Sequence, residues 1–264
     1  MRLKLIRIVA LIAFLGWVSS CRRESDRSGP GALWKPKSRT EYVGDMPREI
    51  IWVKDGAEMV LVPGGEFLYG ENKETKTLDA FYMDKYPVTN ERYQKFIKAT
   101  GHRSPYLDEE WAKAHNWKGK KYPRGMAKYP VVLVSWDDAM AFCEWAGKSL
   151  PTEEQWEKAA RGTDGRLYPW GDEFDERKCN CFLTRIEKPT PVDKFPKGAS
   201  PYGCVDMAGN VWEWTATQKD EGYVMRGGSY FEGDVRVRSY IRPWGRAEVK
   251  GLNCGFRCSY VPPK

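Results

Sequence analysis

The chain has 264 residues, of which 41% are hydrophobic, and it carries a formal net charge of +7 at pH 7. Removal of residues 1–20 would take away Arg2, Lys4 and Arg7 and lower the net charge to +4. A small positive excess without a dense run of Lys and Arg favours solubility. We therefore do not expect nucleic acid to be a partner.

The first twenty residues are typical of an export signal. A basic start precedes an apolar run, residues 8–18, that is too short to span a bilayer as a stable helix. Val18-Ser19-Ser20-Cys21 resembles a bacterial lipobox, in which the cysteine becomes the lipidated N-terminus. We therefore expect a lipoprotein signal peptide over residues 1–20 and a lipid anchor on Cys21 that holds the protein to a membrane. An ordinary secretory signal, or a core helix of a cytosolic protein, is the alternative.

The residue after the expected lipidation site indicates where the protein would reside. It is Arg22 rather than Asp, and the sorting rules of two-membrane bacteria then favour the outer membrane. The expected location is the bacterial cell envelope, at the outer membrane, facing either the periplasm or the surface.

Residues 21–48 are polar and contain Ser28-Gly29-Pro30-Gly31, which is typical of a flexible segment. We interpret them as a lipidated tether. The remaining residues, 49–264, are numerous enough for one domain with its own core.

Local patterns then predict the first elements of this domain. Two apolar runs flank Pro63-Gly64-Gly65 within residues 59–70, which predicts a hairpin. Thr89 is placed to cap a helix that carries Tyr93 and Phe96 at helical spacing.

Two further helices are predicted from capping signals. Residues 135–138 form a capping box, and the helix that follows is expected to end at Gly147. Residues 152–155 cap the next helix in the same way. We interpret the paired acids in these caps as favourable charges at helix N-termini rather than as catalytic groups.

Four blocks carry a family resemblance, and three of them, rich in Gly, Trp and Arg, lie near the end of the chain. In order, they are Leu150-Pro-Thr-Glu-Glu-Gln-Trp-Glu157, Gly209-Asn-Val-Trp-Glu-Trp214, Arg226-Gly-Gly-Ser229 and Gly255-Phe-Arg-Cys258. With these blocks, the chain is identified as a member of the formylglycine-generating enzyme family, also called sulfatase-modifying factors, from about Met59 to Tyr260. The resemblance implies an irregular, loop-rich α+β fold that is related to C-type lectins.

The resemblance also raises the question of activity. The family's enzyme oxidises a sulfatase cysteine to formylglycine with molecular oxygen and copper(I), which two cysteines hold between the last two blocks. The matching positions here are Asp234 and Ser239, and no cysteine occurs from 205 to 253. Hard oxygen ligands do not hold copper(I). We therefore expect neither copper in this cleft nor formylglycine formation, and we assign no catalytic residue.

The resemblance further implies a calcium site. Asp206, Gly209, Val211 and Glu213 match the positions that coordinate calcium in the family, and oxygen ligands suit this hard cation. We therefore expect one Ca²⁺, the alternative being that the two carboxylates only hydrogen-bond the backbone of a tight loop. A second family site would need Asn180 and an Asp a few residues later, and it is not expected because Thr184 stands in place of that Asp.

The chain contains seven cysteines, and lipidation of Cys21 would leave six. Six cysteines in an exported protein can form up to three disulfides, or they can remain buried thiols. The resemblance pairs Cys143 with Cys258. The partners of Cys179, Cys181, Cys204 and Cys254 stay open.

Three functions are consistent with these patterns. The first is a membrane-anchored, non-catalytic module that binds a peptide or protein in a cleft lined by Arg226, Ser229, Arg236 and Arg238. The second is an oxidoreductase that modifies an exported protein, either forming formylglycine through a non-standard metal site or carrying out another oxidation. The third is a variable lectin-like receptor.

Overall fold

A computed structural model of the protein describes residues 31–263. The predicted signal peptide and the lipidation site Cys21 lie outside these residues. Within the described part of the chain, no helix is both long and apolar enough to cross a membrane.

The described residues form three α-helices and thirteen short strands. The helices are α1 (Asn90–Thr100), α2 (Trp136–Ala146) and α3 (Glu153–Arg161). The strands are β1 (Trp34–Pro36), β2 (Tyr42–Val43), β3 (Met46–Pro47), β4 (Glu49–Trp52), β5 (Glu58–Val62), β6 (Gly65–Tyr69), β7 (Glu74–Leu78), β8 (Phe81–Asp84), β9 (Trp212–Lys219), β10 (Gly222–Arg226), β11 (Trp244–Gly245), β12 (Cys254–Phe256) and β13 (Ser259–Tyr260). Long loops connect these elements, so the α+β, loop-rich fold class is confirmed.

A five-stranded antiparallel sheet, in the order β1-β4-β5-β8-β13, forms the N-terminal half of the core. Alternate residues of β5 point to opposite faces of this sheet. Met59 packs in a cluster with Trp52, whereas Val60 packs in another with Trp156 of α3. Both faces of β5 are therefore covered, which explains its continuous apolar sequence.

The tether interpretation does not hold for residues 34–47, because they fold onto this sheet. Trp34 lies opposite Trp52 in the β1–β4 register, and its ring packs 6.2 Å from that of Tyr82. The Tyr82 hydroxyl donates a 2.8 Å hydrogen bond to the Pro47 carbonyl. Trp34 and Met46 of this otherwise polar segment therefore pack against the core cluster that contains Trp52 and Tyr82.

The predicted hairpin around Pro63-Gly64-Gly65 is also wrong. Strand β5 pairs with β4 and β8, whereas β6 pairs with β7. Gly65 has φ of 120°, and a Cβ on Gly64 would lie 3.0 Å from the Ala80 nitrogen. The two glycines turn the chain out of the first sheet instead of folding β6 back on β5.

The predicted helix caps are confirmed. The Ser135 hydroxyl accepts from the Asp138 N–H at 3.2 Å, and the Asp138 carboxylate accepts from the Ser135 N–H at 3.0 Å. Thr152 and Gln155 make the same reciprocal pair at the start of α3. Helix α2 ends at Gly147, whose φ of 72° is left-handed.

The second sheet brings the C-terminal blocks together. Its order is β11-β10-β9-β12, with β12 parallel to β9. Glu213 on β9 lies opposite Arg226 on β10 and opposite Gly255 on β12. The Gly209–Trp214 block is therefore paired with both of the other C-terminal blocks, those that begin at Arg226 and at Gly255.

Candidate functional site

Glu213 is the centre of a buried polar cluster where the three blocks meet. Its two carboxylate oxygens accept from the Arg257 guanidinium at 2.6 and 2.7 Å. One of them also accepts from the Trp156 indole N–H at 2.7 Å. All three side chains are fully buried. A bidentate pair in this environment is strongly directional, so it fixes β9 against α3 and the end of β12.

Asp206 lies at the start of the turn that leads into β9. It is buried, and one carboxylate oxygen accepts from the Asn210 side-chain amide at 2.8 Å. The other oxygen is buried without a hydrogen-bond partner. Burial raises the pKa of Asp206 to about 7. An unpartnered carboxylate oxygen in a buried turn is a suitable ligand for a hard cation.

Gly209 is required at the next position of this turn. Its φ is 78°, and a Cβ would lie only 2.2 Å from the Asn180 carbonyl oxygen. The turn is therefore held against the segment around Asn180, which pairs with Gly209 in a parallel bridge.

The four predicted calcium ligands fit the ion only in part. Asp206 has a free oxygen, but both oxygens of Glu213 are engaged by Arg257 and Trp156. Binding of calcium by Glu213 would require displacement of a guanidinium. Residues 31–263 contain no group of three or more His, Cys, Asp or Glu side chains placed to hold a metal. The calcium site stays a prediction.

Asn180 and Thr184, at the second family calcium site, are joined by a hydrogen bond between their side chains. The Thr184 hydroxyl donates to the Asn180 side-chain oxygen at 3.4 Å, and the Asn180 amide nitrogen donates to the Lys188 carbonyl at 2.9 Å.

The segment between the last two blocks folds as a series of turns. The Tyr168 hydroxyl donates to the Asp234 carbonyl at 3.1 Å, and the Ser239 N–H donates to the Leu167 carbonyl at 2.8 Å. Asp234 is half-buried, whereas Ser239 is fully buried and its hydroxyl has no partner. Oxygen atoms thus occupy both positions where the resemblance places copper-binding cysteines.

Two of the four predicted cleft residues lie in the core. Arg226 is fully buried and forms 3.0 Å ion pairs with Glu153 and with Glu157. Ser229 is also fully buried, and its hydroxyl accepts from the Phe231 N–H at 3.3 Å. Because neither side chain reaches the surface, they do not line a cleft that is open to a ligand.

The other two predicted cleft residues are accessible. Arg236 is exposed and forms a 2.7 Å ion pair with Glu232. Arg238 is half-buried and donates to the hydroxyls of Tyr168 and Tyr240 at 3.4 and 3.3 Å. The hydrogen bond with Tyr168, followed by that with Tyr240, raises the pKa of Arg238 above its usual value. These arginines present positive charge at the surface of the turn.

Sequence reasoning missed the buried acidic residues that form ion pairs with the arginines of this region. Glu153, the first residue of α3, pairs with Arg226 and with Arg242, whose nearest contact is 2.5 Å. Although burial opposes it, the hydrogen bond from Arg242 lowers the pKa of Glu153. The Glu153-Glu154 pair in the capping box was the available signal, but the capping box did not indicate which distant arginines Glu153 would meet.

Cys143 of α2 and Cys258, just after β12, are brought together as predicted. Their Sγ atoms lie 3.1 Å apart, and both side chains are fully buried. At this distance they are adjacent thiols, because the two Sγ atoms of a disulfide are about 2.05 Å apart.

This arrangement defines a loop-rich α+β domain in which three Gly-, Trp- and Arg-rich blocks converge on a buried glutamate–arginine pair. The chain belongs to the sulfatase-modifying factor family, because residues 51–260 match the sequence profile of the sulfatase-modifying factor enzyme 1-like domain.

Curated relatives include proteins named as active and as inactive. The "Inactive C-alpha-formylglycine-generating enzyme 2" of Bos taurus is 32% identical over 263 residues, covering 76% of this chain and 87% of the relative. The "Formylglycine-generating enzyme" of Mus musculus is 30% identical over 285 residues, covering 76% and 74%. Among solved structures, PvdO from Pseudomonas aeruginosa is similar in fold, with a TM-score of 0.67 at 24% identity over 79% of this chain and 95% of that one.

Proposed function

We propose that this protein is a non-catalytic member of the sulfatase-modifying factor family that binds a peptide segment of a protein partner. The observation that carries the proposal is the absence of cysteine from residues 205–253, where Asp234 and Ser239 stand at the expected positions. Copper(I) is held by soft thiolate ligands, and a carboxylate with a hydroxyl supplies only hard oxygen atoms.

The framework around these positions supports a retained binding role. Arg226 donates to the Ser239 carbonyl at 3.2 Å and Arg242 pairs with Glu153, so the turns at residues 229–242 are held by buried ion-paired side chains. The existence of a relative named as inactive, at 32% identity, is consistent with a family in which the fold persists without the oxidase reaction.

The proposed peptide site is the exposed turn from Phe231 to Arg238. Phe231 and Val235 are 57% and 49% exposed, and Arg236 lies beside them in the sequence. Arg238, on the same turn, donates to the hydroxyls of Tyr168 and Tyr240 rather than to a carboxylate. A peptide with both apolar and acidic side chains therefore fits this surface best.

Lipidation of Cys21 would place this surface at the cell envelope, on the outer membrane. The partner would then be an exported or envelope protein. Both statements belong to the proposal and rest on the resemblance of residues 18–21 to a lipobox.

Activity is tested by mass spectrometry of a cysteine-containing sulfatase peptide incubated with the protein, copper and a thiol reductant. An active formylglycine-generating enzyme serves as the positive control. We expect the peptide to keep its thiol. Formation of an aldehyde that is lost in Asp234→Ala or Ser239→Ala would refute the proposal and favour the oxidoreductase alternative.

Binding is tested with a library of peptides that combine acidic and apolar residues. The double variant Arg236→Glu/Arg238→Glu should lower binding of the selected peptides at least tenfold. Arg246→Glu is the matched control, because Arg246 is also exposed and pairs with a single carboxylate, Glu221, at 3.1 Å. Equal loss in both variants would show a nonspecific charge effect and contradict the assigned surface.

A further inference from the structure

A cavity of about 450 Å³ lies between helix α1 and a loop that follows it in the chain, and all of its charged lining residues are lysines. Lys98 comes from the last turn of α1, whereas Lys118, Lys120 and Lys121 come from the loop. We call these four the cavity lysines. The volume lies within the usual range of small-molecule sites.

The lysine loop, residues 117–122, has a fixed backbone. Lys118 and Lys121 exchange backbone hydrogen bonds at 3.0 and 3.2 Å across a tight turn. The side-chain amide of Gln94, on α1, donates to the Lys120 carbonyl at 2.7 Å. The loop is therefore tied both to itself and to the helix on the opposite side of the cavity.

Aromatic residues at the two ends of the lysine loop connect it to the core. Trp117 is buried, and its ring lies 6.1 Å from that of Tyr93 on α1 in an edge-on arrangement. Tyr122 is half-buried, packs edge-on against Trp117 at 5.6 Å, and lines the cavity. The cavity therefore has a fixed aromatic wall beside its ammonium groups.

The cavity lysines form no ion pair with any carboxylate of residues 31–263. The Lys98 ammonium donates to a neutral group, the Gln94 side-chain oxygen, at 3.1 Å. Lys128, a few residues beyond the loop, instead pairs with Asp193 at 2.8 Å. Charges of one sign that line a recess concentrate the electrostatic potential inside it. An anion is therefore the ligand that this cavity favours.

The type and number of the cations indicate which anion fits. Arginine binds planar carboxylates in a bidentate manner, whereas the lysine ammonium is a point charge that suits the tetrahedral oxygens of phosphate. The lining residues include four lysines and no arginine. A phosphate monoester carries a charge of about −1.5 to −2 at pH 7, so two of them balance four ammonium groups. The Tyr122 ring supplies a flat apolar surface for the body of such a ligand.

We propose that this cavity binds a bisphosphorylated ring compound, either a free sugar bisphosphate or the headgroup of a lipid. The cavity lysines hold the two phosphates, and Tyr122 packs on the ring that carries them. Binding is the whole of the proposed step, and no bond forms or breaks. No lining residue belongs to the Glu213–Arg257 pair or to the turn from Phe231 to Arg238, so the site is independent of the proposed peptide surface.

The test is calorimetric titration of the full chain with fructose bisphosphate, fructose monophosphate and fructose. Low ionic strength is used, because salt screens exposed charges. The wild type should bind one equivalent of the bisphosphate, bind the monophosphate more weakly and leave the free sugar unbound. Absence of bisphosphate binding, or equal affinity for the two phosphorylated sugars, would overturn the proposal.

A pair of double variants separates this site from a general effect of charge. Lys118→Gln/Lys121→Gln should weaken binding of the bisphosphate about tenfold, because two exposed charge contacts are lost. Lys35→Gln/Lys188→Gln is the matched control, since both residues are exposed lysines without an ion pair among the described carboxylates, and it should bind as the wild type does. Equal weakening in the two double variants would contradict the assigned cavity.

Two measurements on the wild type do not depend on how the variants fold. Fructose bisphosphate should slow acetylation of the cavity lysines and leave that of Lys188 unchanged, as read by peptide mass spectrometry. Its affinity should fall as the pH drops from about 7 to about 5, because each phosphate then loses nearly one negative charge. Equal protection of Lys188, or an affinity that is constant over this range, would refute the phosphate contacts.

The acetylation assay also distinguishes the two sources of phosphate. Protection of the cavity lysines by phosphatidylcholine vesicles that carry phosphatidylinositol bisphosphate identifies a lipid headgroup, whereas protection by the soluble sugar alone identifies a free compound. Phosphatidylglycerol vesicles are the control, because each of their headgroups carries a single phosphodiester. Equal protection by these control vesicles would show general attraction to an anionic surface and would overturn the bisphosphate site.

Discussion

Replacement of Glu213 by Gln should strongly destabilise the domain, although the two side chains have nearly the same size and shape. Gln keeps the size of the side chain and one acceptor oxygen for the Trp156 indole. It removes the negative charge that compensates Arg257, whose Nε and a terminal nitrogen donate to Glu213 at 2.6 and 2.7 Å. The guanidinium would then remain buried without a counter-charge.

The expected magnitude follows from the burial of both partners. Removing one member of a fully buried ion pair costs about 3–5 kcal/mol, because the other charge stays desolvated. For a domain of this size, each kcal/mol lowers the melting temperature by about 2–4 °C. Glu213→Gln should therefore lower the melting temperature by about 6–20 °C.

The assay is thermal unfolding followed by circular dichroism, with Glu221→Gln as the control. Glu221 undergoes the same chemical change, but its pair with Arg246 is exposed, so the melting temperature should shift by no more than about 2 °C. Similar shifts in the two variants would refute the view that Glu213 and Arg257 hold the three blocks together.

Four further predictions concern Asp206, the calcium site, Cys21 and the Cys143–Cys258 pair. Burial raises the pKa of Asp206 to about 7, so folding favours the protonated carboxyl. The stability that this proton contributes is fully present below about pH 4 and is lost as the pH rises to about 7. Asp206→Asn should therefore flatten the melting-temperature profile between these pH values. Calcium bound by the free oxygen of Asp206 should raise the melting temperature of the wild type at pH 7, but not that of Asp206→Asn. A wild-type melting temperature that changes with neither calcium nor a chelator would rule out the site. Cys21→Ala should move the protein from the membrane fraction to the soluble fraction and abolish palmitate labelling; labelling that persists would disprove the anchor. In protein isolated from an oxidising compartment, peptide mapping should find Cys143 bonded to Cys258, a bond worth about 4–5 kcal/mol for so long a loop, and recovery of either as an alkylated thiol would contradict the pairing.

Local signals in the sequence were sufficient for the helices. The capping boxes at Ser135 and Thr152 and the left-handed end at Gly147 involve residues within four positions of one another, so they can be recognised without the fold. The family blocks likewise indicated the fold class, because their order and composition are specific.

Signals that depend on distant partners were not sufficient. Arg226 was expected at a surface cleft, but it pairs with Glu153, which is 73 positions away and lies on another element. The Pro-Gly-Gly turn was interpreted as a hairpin, since nothing local shows that β5 pairs with β8 instead. In both cases the result was decided by which segments meet in the core.

The last strands have a consequence for how the chain acquires its structure. Strand β12 lies at the edge of the second sheet beside β9, and β13, three residues later, lies at the edge of the first sheet beside β8. The two sheets are therefore joined through residues 254–260, which follow the other strands of the domain in chain order. Contacts that link such distant segments are slow to form. Without these residues, β8 and β9 each lack a neighbouring strand and Glu213 lacks the Arg257 guanidinium. A chain shortened before Cys254 should therefore be a substrate for chaperones and proteases rather than a smaller folded domain.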